Sequence, residues 1–392
     1  MKKLVLSLSI VALFLGSCSS DNEEITTDPI RTGTISGEIT TAESYPKGNY
    51  TIQGTVKVKN GGSLTIEAGS VITAVLTDGS DALLVENGGK LFLNGTAALP
   101  IVFTEASKTP GSWGGIIMVG DAPIVGAKSV ATATTEDGNN LPYGGTNDTH
   151  NGGTLKYVRV EYAGKKLTDN TSEMNGFSFY SVGSGTVLEN LVAYKGADDG
   201  FEFYGGTVSA KNLISYGNFD DSFDWQDGWR GDANTNWYAY QVVTGNYGME
   251  IEAKSINNAF GPKVSNITLT RAAGTVTEGG SSANEFDAIQ FKKEGNGEYT
   301  NVVISGYTTS NTTLTATAVR IQDKSTNDNQ VTGGKIKMLN VKINDGTSQF
   351  AGVGTTFTVA FPTGNYTTSS TATGATLTAG AWAIVDGVSL IK

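Results

Sequence analysis

Apolar and polar residues alternate along most of this chain in short runs, and the runs return at a near-constant interval. Residues 54–74 read GTVKVKNGGSLTIEAGSVITA and residues 82–104 read ALLVENGGKLFLNGTAALPIVFT. Each holds a short alternating run, a Gly-Gly pair and a second alternating run. A related phrase recurs as LKYVRVEYAG from Leu155, ENLVAYKG from Glu189, KNLISYGN from Lys211, SNITLTRA from Ser265, TNVVISGY from Thr300 and LNVKINDG from Leu339. Asn190 and Asn212 are 22 residues apart, and Phe177, Phe201 and Phe223 follow at 24 and 22. A side-chain period of two predicts strands, and a fixed longer period without helical runs predicts a solenoid of β coils. Coils rising about 4.8 Å would place Phe201 over Phe223, Phe203 over Trp225 and Leu191 over Leu213. A β-sandwich or propeller is the runner-up, but propeller blades repeat at roughly 40 residues.

Two regions leave the pattern. Residues 125–152, VGAKSVATATTEDGNNLPYGGTNDTHNG, are long and polar and read as an inserted loop. From 352 to 392 the chain becomes Thr-rich, with Trp382 near its end. An open coil end exposes strand edges, so this tail is expected to be a C-terminal cap after a β-helix spanning 34–351.

Composition agrees. Gly is abundant (51 residues), charged residues are 17%, and the net charge is −11. The acidic balance argues against nucleic-acid binding and makes cations the natural partners.

The N-terminus changes the expected location. Lys2 and Lys3 precede an apolar run from Leu4 to Leu15, too short to span a bilayer as a helix. Leu15-Gly16-Ser17-Cys18 resembles the lipobox of bacterial lipoproteins. The resemblance implies a signal peptide over 1–17 and lipid on Cys18, the single Cys in the chain. Residues 18–33 then read as a flexible acidic tether. Acids straight after the lipidated Cys also resemble the surface-export signal of Bacteroidota lipoproteins.

The stretch 196–229, GADDGFEFYGGTVSAKNLISYGNFDDSFDWQDGW, carries the candidate chemistry. Asp198, Asp199 and Glu202 return as Asp220, Asp221 and Asp224. The Asp pairs fall at a coil corner, while Glu202 and Asp224 lie between inward aromatics and so point outward. The preceding coil has Asn175 and Ser178 instead, which confines the acids to two coils. Stacked carboxylates repel by roughly 1 kcal/mol per pair in water and by more at lower dielectric. A divalent cation removes that cost, and oxygen-only ligands suit calcium. Two alternatives stay open. The Asp residues can bind their own turn N–H groups, or a carboxylate pair can be catalytic.

The neighbouring stretch 225–240, WQDGWRGDANTNWYAY, suggests a sugar-binding surface. Trp225 aligns with inward Phe203, whereas Trp229, Trp237 and Tyr238, with Asp227 and Arg230, are the surface candidates. The one histidine, His150, lies in the polar loop, where a solvated side chain is expected. Its isolation excludes histidine-rich zinc sites. The column Asn190, Asn212, Asn266, Asn301 and Asn340 is expected to form an inward structural ladder.

The phrases VENGGKLFLNGTAALPIVFTEA, SWGGIIMVGDAPI, YGGTNDTHNGGTLKYVRVEYAG and DDGFEFYGGTVSAKNLISYGNFDDSFDWQDGWRG resemble a family of right-handed parallel β-helix lipoproteins from Bacteroidota. The likeness is strong over residues 35–255. It implies a single-stranded right-handed parallel β-helix anchored by lipid in the outer membrane, facing outward. The expected role is a surface binding or accessory protein holding calcium, with a glycan ligand or an outer-membrane transporter as partner. The alternatives are a calcium-dependent polysaccharide lyase or hydrolase, reminiscent in its DDG-aromatic-acid coils, and a purely structural surface protein. A catalytic site requires a Lys or Arg within reach of the acids. A glycan binder requires exposed Trp229 and Trp237.

Overall fold

A computed structural model describes residues 30–76, 81–125, 131–167, 173–278, 284–310, 314–353 and 357–392. Cys18, the signal segment and most of the tether lie outside the described residues. Winding starts at Arg31, three residues before the expected boundary, with strand Arg31–Ile39.

Among the described residues, 24 strands join in one parallel sheet that coils as a right-handed parallel β-helix. Each coil has three faces. In the early coils, Lys90–Asn94 and Ile101–Glu105 form two of them and Ile116–Val119 the third. The later coils fuse the first two faces into one bent strand. Gly153–Glu161 pairs with Leu91–Asn94 through its first half and with Ile101–Phe103 through its second. The third face continues through Phe177–Tyr180, Phe201–Tyr204, Phe223–Gln226, Met249–Ile251, Ile289–Phe291 and Thr317–Ile321. The expected stacks are present: Phe201 opposite Phe223, Phe203 opposite Trp225, and Leu191 opposite Leu213.

The bend in the fused strand is made by one residue per coil. Asn190, Asn212, Asn266 and Asn301 have φ between 58° and 59°, and Asn340 has φ 55°. Asn tolerates this left-handed conformation better than other residues with a Cβ. Asn236 belongs to the same column, with φ 59°, and Tyr157 occupies it at φ 51°. The side chains form a ladder: Asn236 Nδ2 donates to Asn212 Oδ1 at 3.0 Å, Asn212 to Asn190 at 3.0 Å, and Asn301 to Asn266 at 2.7 Å. The ladder is not inward, as the sequence suggested. It runs half-exposed along a corner, because a reversed backbone hand turns the side chain out of the alternation.

Aromatic rings fill the axis. Phe177 stacks on Phe201 at 5.0 Å and Phe201 on Phe223 at 5.7 Å. Each such pair adds about 0.5–1.5 kcal/mol beyond its area burial.

The insertion is ordered where described. Ala133–Thr134 and Pro142–Tyr143 make an antiparallel pair outside the coils. Tyr143 packs on Tyr180 at 5.1 Å, and its hydroxyl donates to buried Asp227. His150 is buried, not solvated. Its Nδ1 accepts from Gly183 N at 3.4 Å, and burial lowers its pKa.

The tail does two things. Strands Ser348–Gly352 and Tyr366–Thr368 extend the last coils, with Phe350, Phe361 and Tyr366 packed together at 5.0–5.3 Å. After Ser369 the chain turns back and runs as a strap along the outside. Thr373 N donates to Asn301 Oδ1 at 2.8 Å, Thr376 N to Asn236 Oδ1 at 3.3 Å, and Trp382 N to Ala97 O at 3.2 Å. Trp382, Val385 and Leu390 bury against Tyr162, Val192, Ile214 and Tyr238. A cap alone, as expected for 352–392, does not describe this segment: the outward apolar residues of that face need a cover, and the strap supplies it.

Candidate functional site

The acids gather on the third face. Outward positions alternate with the buried rings, so Ser178, Glu202, Asp224, Glu250, Gln290 and Arg320 form one register column. Asp198–Asp199 and Asp220–Asp221 sit at the corner just before it. Gly200 follows the first pair because a Cβ there would fall 2.8 Å from Ser222 O and 2.6 Å from Ser215 Oγ. Tight packing of successive coils therefore fixes the Asp pairs relative to the strand.

All six expected metal-site residues line one cavity of about 300 Å³. Asp198, Asp199, Glu202, Asp221 and Asp224 form its buried floor. Glu136, Glu173, Glu278 and Glu285 stand on the exposed rim. Oxygens of Asp198, Asp199 and Asp220 lie within 4.8 Å of one another, and so do those of Asp199, Glu202 and Asp224.

The corner Asp residues do not bind their own turns. Asp221 N donates to Asp199 Oδ1 at 2.8 Å, and Tyr247 N donates to Asp221 Oδ1 at 2.6 Å, so each carboxylate ties down the next coil. Asn246 donates to Asp220. Glu202 accepts from Asn175 Nδ2 at 2.7 Å, from Gln226 Nε2 at 2.9 Å and from the Tyr204 hydroxyl. Asp198 Oδ2 and Asp224 Oδ1 are buried with no hydrogen-bond partner. Unsatisfied buried carboxylate oxygens are costly unless something else pairs them.

Cations are close, and their charge reaches Asp198 and Asp224, but their short ion pairs go to other acids. Lys292 binds Glu250 and, at 3.4 Å, Glu252; Lys293 binds Glu252 at 2.8 Å. Lys254 spans Glu136 at 3.1 Å and Glu252 at 3.7 Å. Lys166 binds Glu278 at 2.6 Å. Neighbouring carboxylates hold Lys254 and Lys292 well above their ordinary pKa against the opposing effect of burial. Proton-holding ammoniums of this kind are poor general bases.

The floor acids are pushed the other way. Burial, then neighbouring carboxylates, raise Asp198, Asp199, Asp221 and Asp224 well above the carboxylate range. Glu202 is pushed up to about 8, by burial first and then by Glu136. Asp220 is pushed up to about 7, by burial and then by Glu278. Without a counter-ion the pocket therefore holds protons; a divalent cation would release them.

The aromatic surface expected beside the acids is absent. Trp229 and Trp237 are 1% and 0% exposed and belong to the axial core. Asp227 and Gly228 both have positive φ, 56° and 68°, and this double turn swings Trp229 inward onto Phe203 at 4.4 Å. Trp237 follows Asn236 in the ladder column and takes the inward place above Leu213. Tyr238 points outward but is covered by the strap, its hydroxyl accepting from Lys392 N at 3.0 Å. Asp227, raised to about 6 by burial, anchors Tyr143 instead of facing a ligand. Arg230 stacks over Phe260 at 3.7 Å and does not line the acidic cavity.

Sequence reasoning also missed site residues. Glu250 and Glu252 extend the acids into a third coil, so the confinement to two coils does not hold. The signal was present: Met249-Glu250-Ile251-Glu252 repeats the alternation of Phe223-Asp224-Trp225-Gln226 at a longer interval. Glu136 arrives from the insertion and carried no such signal.

The fold and this cavity define a parallel β-helix with an acid-lined pocket on one face. Residues 33–385 match the family model described as a pectate-lyase-like β-helix domain, and the chain belongs to that family. Neither a curated protein nor a solved structure matches it.

Proposed function

We propose that the acidic pocket is a divalent-cation site, with calcium its cation, in a lipid-anchored binding or accessory protein of the cell surface. One observation carries the cation reading. Two carboxylate triads converge within 4.8 Å, each with a buried oxygen that receives no hydrogen bond, while the short ion pairs of the nearby lysines go to Glu250, Glu252 and Glu278. Calcium accepts irregular all-oxygen shells, and Asp, Glu and amide oxygens are what the pocket offers. Calorimetric titration of metal-free protein with calcium tests it. Heat of saturable binding with release of protons is expected; absence of binding at millimolar calcium would sink the proposal.

The anchoring half of the reading rests on Cys18 and the lipobox-like residues before it. Labelling with a fatty-acid analogue should mark the native chain and miss Cys18→Ser. A companion transporter in the outer membrane is the partner this location favours. Glycan contact through Trp229 and Trp237 is abandoned, since both are core.

A polysaccharide-active enzyme is the second reading. The family membership favours it, as does Glu202, which keeps its proton near neutral pH beside Asp224. Lys254, Lys292 and Lys293 line the pocket, as a catalytic site requires, but neighbouring carboxylates hold Lys254 and Lys292 protonated, which makes those two poor lyase bases. Assays of uronate and neutral polysaccharides for unsaturated products and new reducing ends decide it; turnover that disappears in Glu202→Gln would replace the binding-protein reading.

A further inference from the structure

We infer that the pocket takes two cations, with Asp199 shared between them. The inference rests on the cation-site reading above and adds its stoichiometry and its bridging ligand.

The carboxylates fall into two groups of three that have a single member in common. Asp198, Asp199 and Asp220 form the corner group; Asp199, Glu202 and Asp224 form the strand group. The division follows from the fold. The corner group comes from the turns before Phe201–Tyr204 and Phe223–Gln226, and the strand group from outward positions of those two strands. Asp199 is the last residue of its corner before Gly200 and faces both.

Each group has its own unmet demand. Asp198 Oδ2 is the buried, unpartnered oxygen of the corner group, and Asp224 Oδ1 that of the strand group. Both side chains are at least nine-tenths buried, at 2% and 9% exposure, and both line the cavity. One ion in either group leaves the other orphan unsatisfied. Lys166 and Lys292 lend Asp198 and Asp224 long-range charge, but their short ion pairs go to Glu278 and Glu250, and neither orphan oxygen receives a hydrogen bond.

The shared ligand is held in place before any ion arrives. Asp199 Oδ1 accepts from Asp221 N at 2.8 Å, which fixes the carboxylate to the next coil. A carboxylate offers about four lone-pair sites, so one backbone donor leaves capacity for two cations. Charge also favours a pair. Six floor and corner acids, if ionised, exceed what one divalent ion neutralises.

The test is ion counting on the full chain after chelation and dialysis, by calorimetry and by equilibrium dialysis with radioactive calcium. Two ions per chain are expected. Asp198→Asn and Asp224→Asn should each lower the count to one, and Asp199→Asn should weaken both sites by more than tenfold. One ion per native chain would overturn the two-ion inference and leave the cation reading standing; none would overturn both. Loss of all binding in either Asp198→Asn or Asp224→Asn would also overturn it, because independent groups must survive one another's loss. Asp199→Asn can compromise folding, since Asp199 ties two coils together. The other two variants touch oxygens with no protein hydrogen bond, and circular dichroism confirms their fold.

Discussion

Raising the pH of the metal-free protein should destabilise it, and calcium should cancel the effect. Glu202 is held at about 8 against an ordinary 4.5, and Asp220 at about 7 against 3.8. A raised folded-state value means that the native chain binds more protons than the unfolded chain. The stabilising contribution is complete below about pH 4 and is lost as pH rises through the folded values. His150 works in the opposite direction, because burial lowers its pKa and charging it below about pH 6.5 costs stability. The useful window therefore runs from about pH 6.5 to about pH 8.5, where histidine is at most half-charged in the unfolded chain and opposes the loss by less than about 0.5 kcal/mol. Across it Glu202 loses about 2 kcal/mol and Asp220 about 1 kcal/mol, at 1.36 kcal/mol per pKa unit. The two groups are neighbours and add incompletely, giving about 2–3 kcal/mol from this pair, and Asp198, Asp199, Asp221 and Asp224, raised as well, act in the same direction, so this figure is a floor. With an unfolding entropy near 2.1 cal/mol/K per residue over roughly 360 residues, the melting temperature should fall by at least about 3 °C. Calcium at about a hundred times its Kd should add about 2.7 kcal/mol per site and flatten the slope, since ligated carboxylates no longer hold protons. Differential scanning calorimetry in metal-free and calcium-containing buffers measures both. A metal-free melting temperature that stays level or rises across this window would refute the argument that burial leaves these acids protonated.

Other consequences follow from single contacts. Tyr143→Phe removes the donor on buried Asp227 and should cost about 1–3 kcal/mol in urea unfolding at about pH 8, and less near pH 5, where Asp227 takes up a proton; equal losses at both values would contradict the assignment. Trp229→Ala should cost about 3–5 kcal/mol by opening a core cavity while leaving calcium affinity unchanged, read by chemical denaturation and calorimetry. Asn212→Ala should cost about 1–2 kcal/mol more than Asn212→Gly, because only the alanine must hold a left-handed backbone; the reverse order in denaturant midpoints would refute the strained-corner account. Trp382→Ala should free the strap, and limited proteolysis should then cut within 369–392 before the coils are attacked.

The coil architecture was readable from one dimension because it is built from local regularities. Alternation at a period of two and recurrence near 22 residues place Phe201, Phe223, Leu191 and Leu213 without knowledge of any distant contact. The Asp198–Asp199 and Asp220–Asp221 pairs were readable for the same reason, since like stacks on like. Burial of individual side chains was not readable, because it depends on what the rest of the chain lays over each face. Trp229 turns inward through the positive φ of Asp227 and Gly228, and Tyr238 is outward yet covered by a strap from more than a hundred residues away. Glu136 reaches the pocket only because the insertion folds onto Tyr180 and Tyr204. The amino-acid order by itself determined a wound β chain with acids in register; the tertiary structure decided that those acids share one pocket, since its walls come from segments far apart in sequence and no local pattern encodes their meeting.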